Sequence, residues 1–154
     1  MVLSVRGSAR LLLAAALGTT LGALGQTAER DTRSIRDGVF TAEQARRGQT
    51  AYTGPCDRCH GFKLDGAPDD PDMLPAPPVA GPKFLRKWNG RTLAALFDYV
   101  RLTMPTNNPG YLSGAEVADI VAYMLSVSGM PAGEDVLALE PEALAGVVIV
   151  SQSP

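Results

Sequence analysis

Ligating side chains are scarce in this chain: 154 residues contain one histidine and two cysteines. A structural zinc site needs about four nitrogen or sulfur ligands. Cys56, Cys59 and His60 offer three at most, which argues against zinc. No second cysteine pair exists. A disulfide between Cys56 and Cys59 would close a very small ring and stabilise little, because loop-closure effects grow with loop length. Strand-like alternation is missing until Val147-Val148-Ile149-Val150 near the C-terminus. That leaves no strand–helix unit for a thioredoxin-like dithiol. Four acids, Asp65, Asp69, Asp70 and Asp72, cluster in one stretch, but the D-x-[DN]-x-[DN]-G calcium pattern is absent. A solvated loop is the better reading. Positive charge is not in excess, with a formal net charge of −2, which argues against nucleic acid as a partner. There are no internal repeats.

The N-terminus reads as a secretory signal peptide spanning residues 1–25. Arg6 and Arg10 form a positive region. Leu11-Leu12-Leu13-Ala14-Ala15-Ala16-Leu17 opens an apolar run to about Gly25, and Ala23-Leu24-Gly25 offers small residues for cleavage before Gln26. The alternative is an uncleaved anchor, but the run falls short of the roughly 20 residues a spanning helix needs. No stable membrane anchor is therefore expected after cleavage. No cysteine near the cleavage site suggests a lipoprotein. Cleavage removes two arginines and no acid, taking the formal charge from −2 to −4.

Cys56-Asp57-Arg58-Cys59-His60 is a C-x-x-C-H motif, the attachment site of a c-type haem. Two thiols three positions apart can each form a thioether with a haem vinyl group, and the histidine that follows lies under the iron. Covalent haem of this kind is attached outside the cytoplasmic membrane in bacteria, so the export signal and the motif support each other.

Residues 26–37 read as a flexible leader. A helix is expected from Thr41 to about Tyr52, with Thr41 and Gln44 as a capping box and Ala45, Gly48, Ala51 and Tyr52 on one side. It gives out at Thr53-Gly54-Pro55. Residues 61–82 carry Pro68, Pro71, Pro75, Pro77, Pro78 and Pro82 and read as a loop. A second helix is expected from about Thr92 to Leu102, with Leu93, Leu96, Phe97 and Val100 as its apolar stripe. A third starts at Ser113, with Glu116 completing a capping box, and ends at Gly129 and Pro131. Three helices would bury a thin core alone. A haem disc gives them something to pack around, and binding by the folded state only would stabilise that state.

Over residues 38–130 the chain resembles class I cytochromes c. Gly48 and Tyr52 precede the haem motif; Pro77-Pro78-Val79-Ala80-Gly81 is similar to the family's P-x-L-x-G, with Val79 for Leu. Met104-Pro105 follows the middle helix, and Asp119-Ile120-Val121-Ala122-Tyr123-Met124 resembles the last helix. Phe84, Trp88, the stretch from Met104 to Leu112 and Ser128-Gly129-Met130-Pro131-Ala132-Gly133 resemble a bacterial subgroup associated with quinoprotein (PQQ) dehydrogenases, which also tends to carry a tail like Leu137 to Val150. The resemblance implies an all-α class I cytochrome c fold. Three main helices surround one covalent haem, with a long Pro-rich loop and a short C-terminal extension. The expected organisation is a cytochrome c domain at 38–132 and an extension at 133–154, packing on the domain or on a partner.

The resemblance implies Cys56 and Cys59 as haem attachment sites, His60 as proximal ligand and Met104 as distal ligand. An independent argument agrees on Met104. The sole histidine is used, so bis-histidine ligation within the chain is impossible. Met124 fits a buried helix face, Met73 lies in the acidic loop and Met130 lies past a helix end. Met104 lies in irregular backbone between two helices. The alternative is a hydrophobic loop residue over a five-coordinate iron. By resemblance, the Pro77 carbonyl accepts a hydrogen bond from the His60 ring, with Pro82 the substitute if the register differs. Trp88 and Arg91 are candidates for haem propionate contacts, or for ordinary packing and surface charge. Gly48 and Tyr123 are expected to meet where the first and last helices cross.

Met/His ligation fills both axial positions and raises the potential. The expected function is therefore periplasmic transfer of single electrons. By resemblance, the donor is a quinoprotein dehydrogenase and the acceptor a downstream cytochrome or oxidase. The chain is not expected to be an enzyme by itself. The alternatives are the haem subunit of a multi-subunit oxidoreductase, or a haem enzyme or sensor with an exchangeable distal ligand.

Overall fold

The computed structural model of the chain describes residues 33–73 and 76–151. The export segment expected at 1–25 and the leader up to residue 32 lie outside the described residues. Those described form α1 (Ala42–Tyr52), α2 (Asp57–His60), α3 (Gly81–Trp88), α4 (Leu93–Thr103), α5 (Gly114–Val127) and α6 (Pro141–Ala145), with two short strands, β1 (Arg33–Ser34) and β2 (Val147–Val148). None of these helices is long and apolar enough to cross a membrane. The three long helices match the three expected from sequence. The other three are additions.

Local chemistry sets the helix starts. Thr41 Oγ1 accepts the Gln44 backbone N–H at 3.1 Å and opens α1. The reciprocal half of the expected capping box is absent. The Gln44 side chain is buried and spans to the C-terminal segment, accepting from Leu137 N at 2.7 Å and donating to Leu137 O at 3.4 Å. A buried amide needs both its donor and its acceptor paired, and Leu137 does this better than the exposed helix end. Thr92 caps α4 in the same way as Thr41 caps α1. Ser113 and Glu116 form the full reciprocal box at α5.

Helix α1 crosses α5 at close range. A Cβ on Gly48 would overlap the Asp119 carbonyl oxygen and come within 2.9 Å of Tyr123 Cβ. Only glycine lets the two backbones approach this closely. The crossing is flanked by a bidentate Arg47–Asp119 pair, both contacts at 2.9 Å, and by Tyr52 edge-on to Tyr123, ring centroids 5.7 Å apart. Helix α4 packs on α5 and α6.

Two expectations change. The loop read over 61–82 ends two residues early, because α3 begins at Gly81. Pro82 stands in its first turn, where its missing N–H costs nothing, and Phe84, Leu85 and Trp88 are buried beneath it. The chain from Arg33 is not free leader either. Ile35 is fully buried, and β1 pairs in parallel with β2, Arg33 opposite Val147 and Ser34 opposite Val148. The C-terminal segment packs on this same core through Leu137, Leu144, Val147 and Ile149. It also ties down the α3–α4 turn. Gly90 N donates to Ile149 O and Ile149 N to Arg91 O, each at 2.8 Å, and Ser151 N donates to Asn89 Oδ1 at 2.8 Å.

Replacing Gly48→Ala is expected to lower unfolding stability by about 3 kcal/mol through overpacking. The loss should appear as a lower denaturant midpoint with an unchanged slope. Truncation before Pro141 exposes the partners of Leu144, Val147 and Ile149. At about 1.5–3 kcal/mol for each large apolar side chain, it should cost about 5 kcal/mol. Retained stability would show that this packing contributes nothing.

Candidate functional site

The haem motif forms a single turn. Cys56 caps α2, and its carbonyl accepts from Cys59 N at 3.1 Å and His60 N at 2.9 Å. Residues three apart share one face of such a turn, which brings both thiols to the same side. The turn is held from below by Asp57, buried, whose Oδ1 accepts from Gly54 N at 2.9 Å. Tyr52 holds its far end by donating its hydroxyl to Gly61 O at 2.9 Å. Burial raises the Tyr52 hydroxyl pKa well above its ordinary value, so it stays a donor.

Cys56, Cys59, His60 and Met104 line one cavity of about 740 Å³, within the range of roughly 300–1,000 Å³ typical of small-molecule and cofactor sites. Met104 comes from the C-cap of α4, where its N–H bonds Val100 O at 3.0 Å. Phe84 and Trp88 of α3, Leu96 and Val100 of α4, and Ile120 and Met124 of α5 supply apolar wall. Met73 and Met130 do not line it.

The His60 ring is fixed by Pro77. Nδ1 lies 2.8 Å from Pro77 O. A carbonyl oxygen can only accept, so Nδ1 carries a proton and, in the neutral ring, Nε2 keeps its lone pair. That tautomer is the one a metal-binding imidazole requires. Pro82, the substitute acceptor, lies instead in the first turn of α3. The Pro77 segment is in turn held by Leu64, whose carbonyl accepts from Val79 N at 2.8 Å and Ala80 N at 3.2 Å. Leu64 is fully buried at φ +59°, a left-handed backbone costing a non-glycine residue about 1–2 kcal/mol. Sequence reading missed Leu64. Its one signal is the Gly61–Gly66 spacing around it, which marks a tight reversal without naming the pivot.

Trp88 lines the cavity and Arg91 does not. The Arg91 guanidinium lies over the Trp88 ring, 4.5 Å from its centroid, and Tyr99 meets Trp88 edge-on at 5.6 Å. Arg91 therefore reaches the site only through the indole. The cationic lining residues are Arg58 and Lys87, neither singled out from sequence. Lys87 was hidden because α3 itself was not anticipated. Among the described lining residues there is no carboxylate.

These features fit a haem c. The donor set joins two thiols, an imidazole with a free Nε2 and a thioether on an apolar cavity, with cations and no acid to meet anionic groups. They do not fit a redox-active dithiol. Burial first, then the charges of Asp57 and Cys59, push the Cys56 thiol up to about 11, the reverse of a reactive thiolate. The carboxylates of the acidic loop do local work: Asp65 Oδ1 accepts from Ala67 N at 2.9 Å and Asp70 Oδ1 from Asp72 N at 3.0 Å.

No curated protein matches the chain. Among solved structures, the sulfane dehydrogenase SoxCD from Paracoccus pantotrophus is similar at 23% identity, over 87% of this chain and 68% of that one, with a TM-score of 0.45. The family model described as cytochrome c oxidase, cbb3-type, subunit III matches residues 43–124, from the first turn of α1 through Met124 in α5. That span is just over half of the chain and contains the whole Cys56–His60 turn, the Pro77 segment and Met104. The chain thus belongs to this family of cytochrome c domains, and membership implies haem c as its cofactor.

Proposed function

We propose that the chain is an exported, periplasmic electron-transfer protein. In this reading it holds one haem c by thioethers at Cys56 and Cys59, with His60 and Met104 as axial ligands, and relays single electrons. The observation that carries the reading is the convergence of these four side chains on one cavity, with His60 Nδ1 already committed to Pro77 O. A bound haem c supplies a reversible one-electron couple, at a potential raised by Met/His ligation.

The chain's own residues do the rest. Pro77 O holds the imidazole in one orientation, and Val79 N and Ala80 N, bonded to Leu64 O, hold Pro77. Met104 sits at a helix end anchored to Val100. With both axial positions taken by side chains, no open site remains for oxygen or peroxide. The lining supports a carrier over a haem enzyme, because its described residues include no carboxylate and no imidazole besides His60 to act as general base.

The resemblance to cytochromes of quinoprotein dehydrogenases supports such an enzyme as donor, and a cytochrome or oxidase as acceptor. The family description, an oxidase subunit, also favours a second form of the same role, the electron-transfer subunit of a larger oxidoreductase.

Two measurements test the reading. The chain produced in a host able to attach haem c should be red and carry the mass increment of one haem, lost in the Cys56→Ser, Cys59→Ser double variant. A colourless chain without the increment overturns it. Met104→Ala should remove the thioether-to-ferric charge-transfer absorption. It should also lower the potential by on the order of 0.1 V or more, within the roughly 0.8 V that axial ligands span. An unchanged spectrum would eliminate Met104 as the ligand.

A further inference from the structure

We infer that the exposed face of α3 and the α3–α4 turn is the docking surface for an acidic patch on a redox partner. Arg91 is its pre-ordered anchor. The inference rests on the electron-transfer reading and adds where, and to what chemistry, the electron leaves or enters.

The overall charge hides this surface. The chain is formally negative, yet the Gly81–Trp88 helix carries Lys83, Arg86 and Lys87 and no acid. Arg91 follows in the turn. All four are exposed, and none is in an ion pair among the described residues, where the pairs are Arg46–Glu43 and Arg47–Asp119. Cations left unpaired on one helix of an acidic protein create a local field opposite in sign to the net charge, and local fields govern encounter.

The patch adjoins the cavity. Lys87 lines it, and Arg91 lies on Trp88, which lines it too. The acids of residues 65–72 form an exposed surface of opposite sign, and none of them lines the cavity. The basic surface places a bound partner beside the site through Lys87, which lines it.

Arg91 differs from a free surface arginine. Its guanidinium is held on the indole at 4.5 Å, and its carbonyl accepts from Ile149 N at 2.8 Å. Ordering a long side chain on association costs about 0.5–1.5 kcal/mol, and here that cost is already met in the free chain. The guanidinium edge keeps its N–H donors, which suit a bidentate carboxylate. Lys87 and Arg58 line the cavity and can serve anionic groups inside it. Lys83, Arg86 and Arg91 do not line it and are left for the partner.

The test uses the reduced haem-loaded full chain and hexacyanoferrate(III), which accepts one electron and becomes hexacyanoferrate(II). The rate constant should fall about tenfold as ionic strength rises from 0.01 to 0.15 M, over which the screening length shrinks from about 30 to 8 Å. In the Lys83→Glu, Arg86→Glu, Arg91→Glu variant it should instead rise with salt; the reduction potential, read separately, distinguishes a change in driving force from a change in encounter. At low salt poly-L-glutamate should slow the native reaction several-fold and leave the variant's rate unchanged. Arg91→Lys, which keeps charge but loses the planar fork, should retain the salt dependence and weaken the poly-L-glutamate effect. A native rate that rises with salt, or one indifferent to the triple reversal, overturns the inference. So does poly-L-glutamate acting equally on both proteins. A chain that carries no haem and accepts no electron refutes the electron-transfer reading itself, a distinct result.

Discussion

One hydrogen bond joins the two halves of the site: His60 Nδ1 to Pro77 O, 2.8 Å. It connects the haem-motif turn to a loop seventeen residues later, and most of the surrounding backbone serves to keep its ends in place. Asp57 and Tyr52 hold the His60 side. Leu64, accepting from two consecutive amides, holds the Pro77 side. The left-handed backbone at Leu64 is offset by its fully buried side chain; burying a leucine gives back about 1.5–3 kcal/mol, of the same order as the cost of the conformation. Strain of this kind persists where the surroundings over-determine it.

The opposite wall is tied down differently. Trp88 is held between the Arg91 guanidinium and the edge of Tyr99. The turn behind it, Asn89 to Arg91, is stitched to Ile149 and Ser151 by three backbone-donated bonds of 2.8 Å. The C-terminal segment is thus a brace for a cavity it does not line. The Gln44–Leu137 pair fixes the start of that brace to α1, which itself is locked to α5 at Gly48.

What sequence alone could give follows from how local each feature is. The Cys56–His60 spacing is readable because the chemistry demands it within five residues. The starts of α1, α4 and α5 are readable because Thr41, Thr92 and Ser113 cap the helices they precede. Helix α3 escaped because proline punctuates loops and helix starts alike. Pro82 closed a run of loop prolines, and the Phe84, Leu85, Trp88 spacing behind it was the stronger signal. The parallel pairing of β1 with β2 escaped for a different reason: two residues per strand leave no alternation to detect, and the partners lie at opposite ends of the described chain. Gln44 misled because its pattern with Thr41 was sound, while a buried partner in the tail competed for its amide. The roles of Lys87 and Arg91 depended on α3 and its turn, and were out of reach until that helix was seen.

Bracing from both sides has a consequence for a carrier. An electron that arrives and leaves without chemistry gains most from a site that keeps one geometry in both oxidation states, and outer partners that orient the ligands provide this. Here the two braces run through backbone amides, which do not titrate, and the ring they orient is fixed by a carbonyl, which cannot change its role from acceptor. The ionisable groups within this framework include Asp57 and Tyr52 at the turn and Arg91 over Trp88. Lys83, Arg86 and Arg91 are exposed and do not line the cavity, so their charge can steer a partner from outside the His60–Pro77 contact. Rigidity and recognition meet at Arg91, which holds Trp88 and accepts from Ile149 N, while Lys83 and Arg86 stand apart from the bonds that brace the cavity.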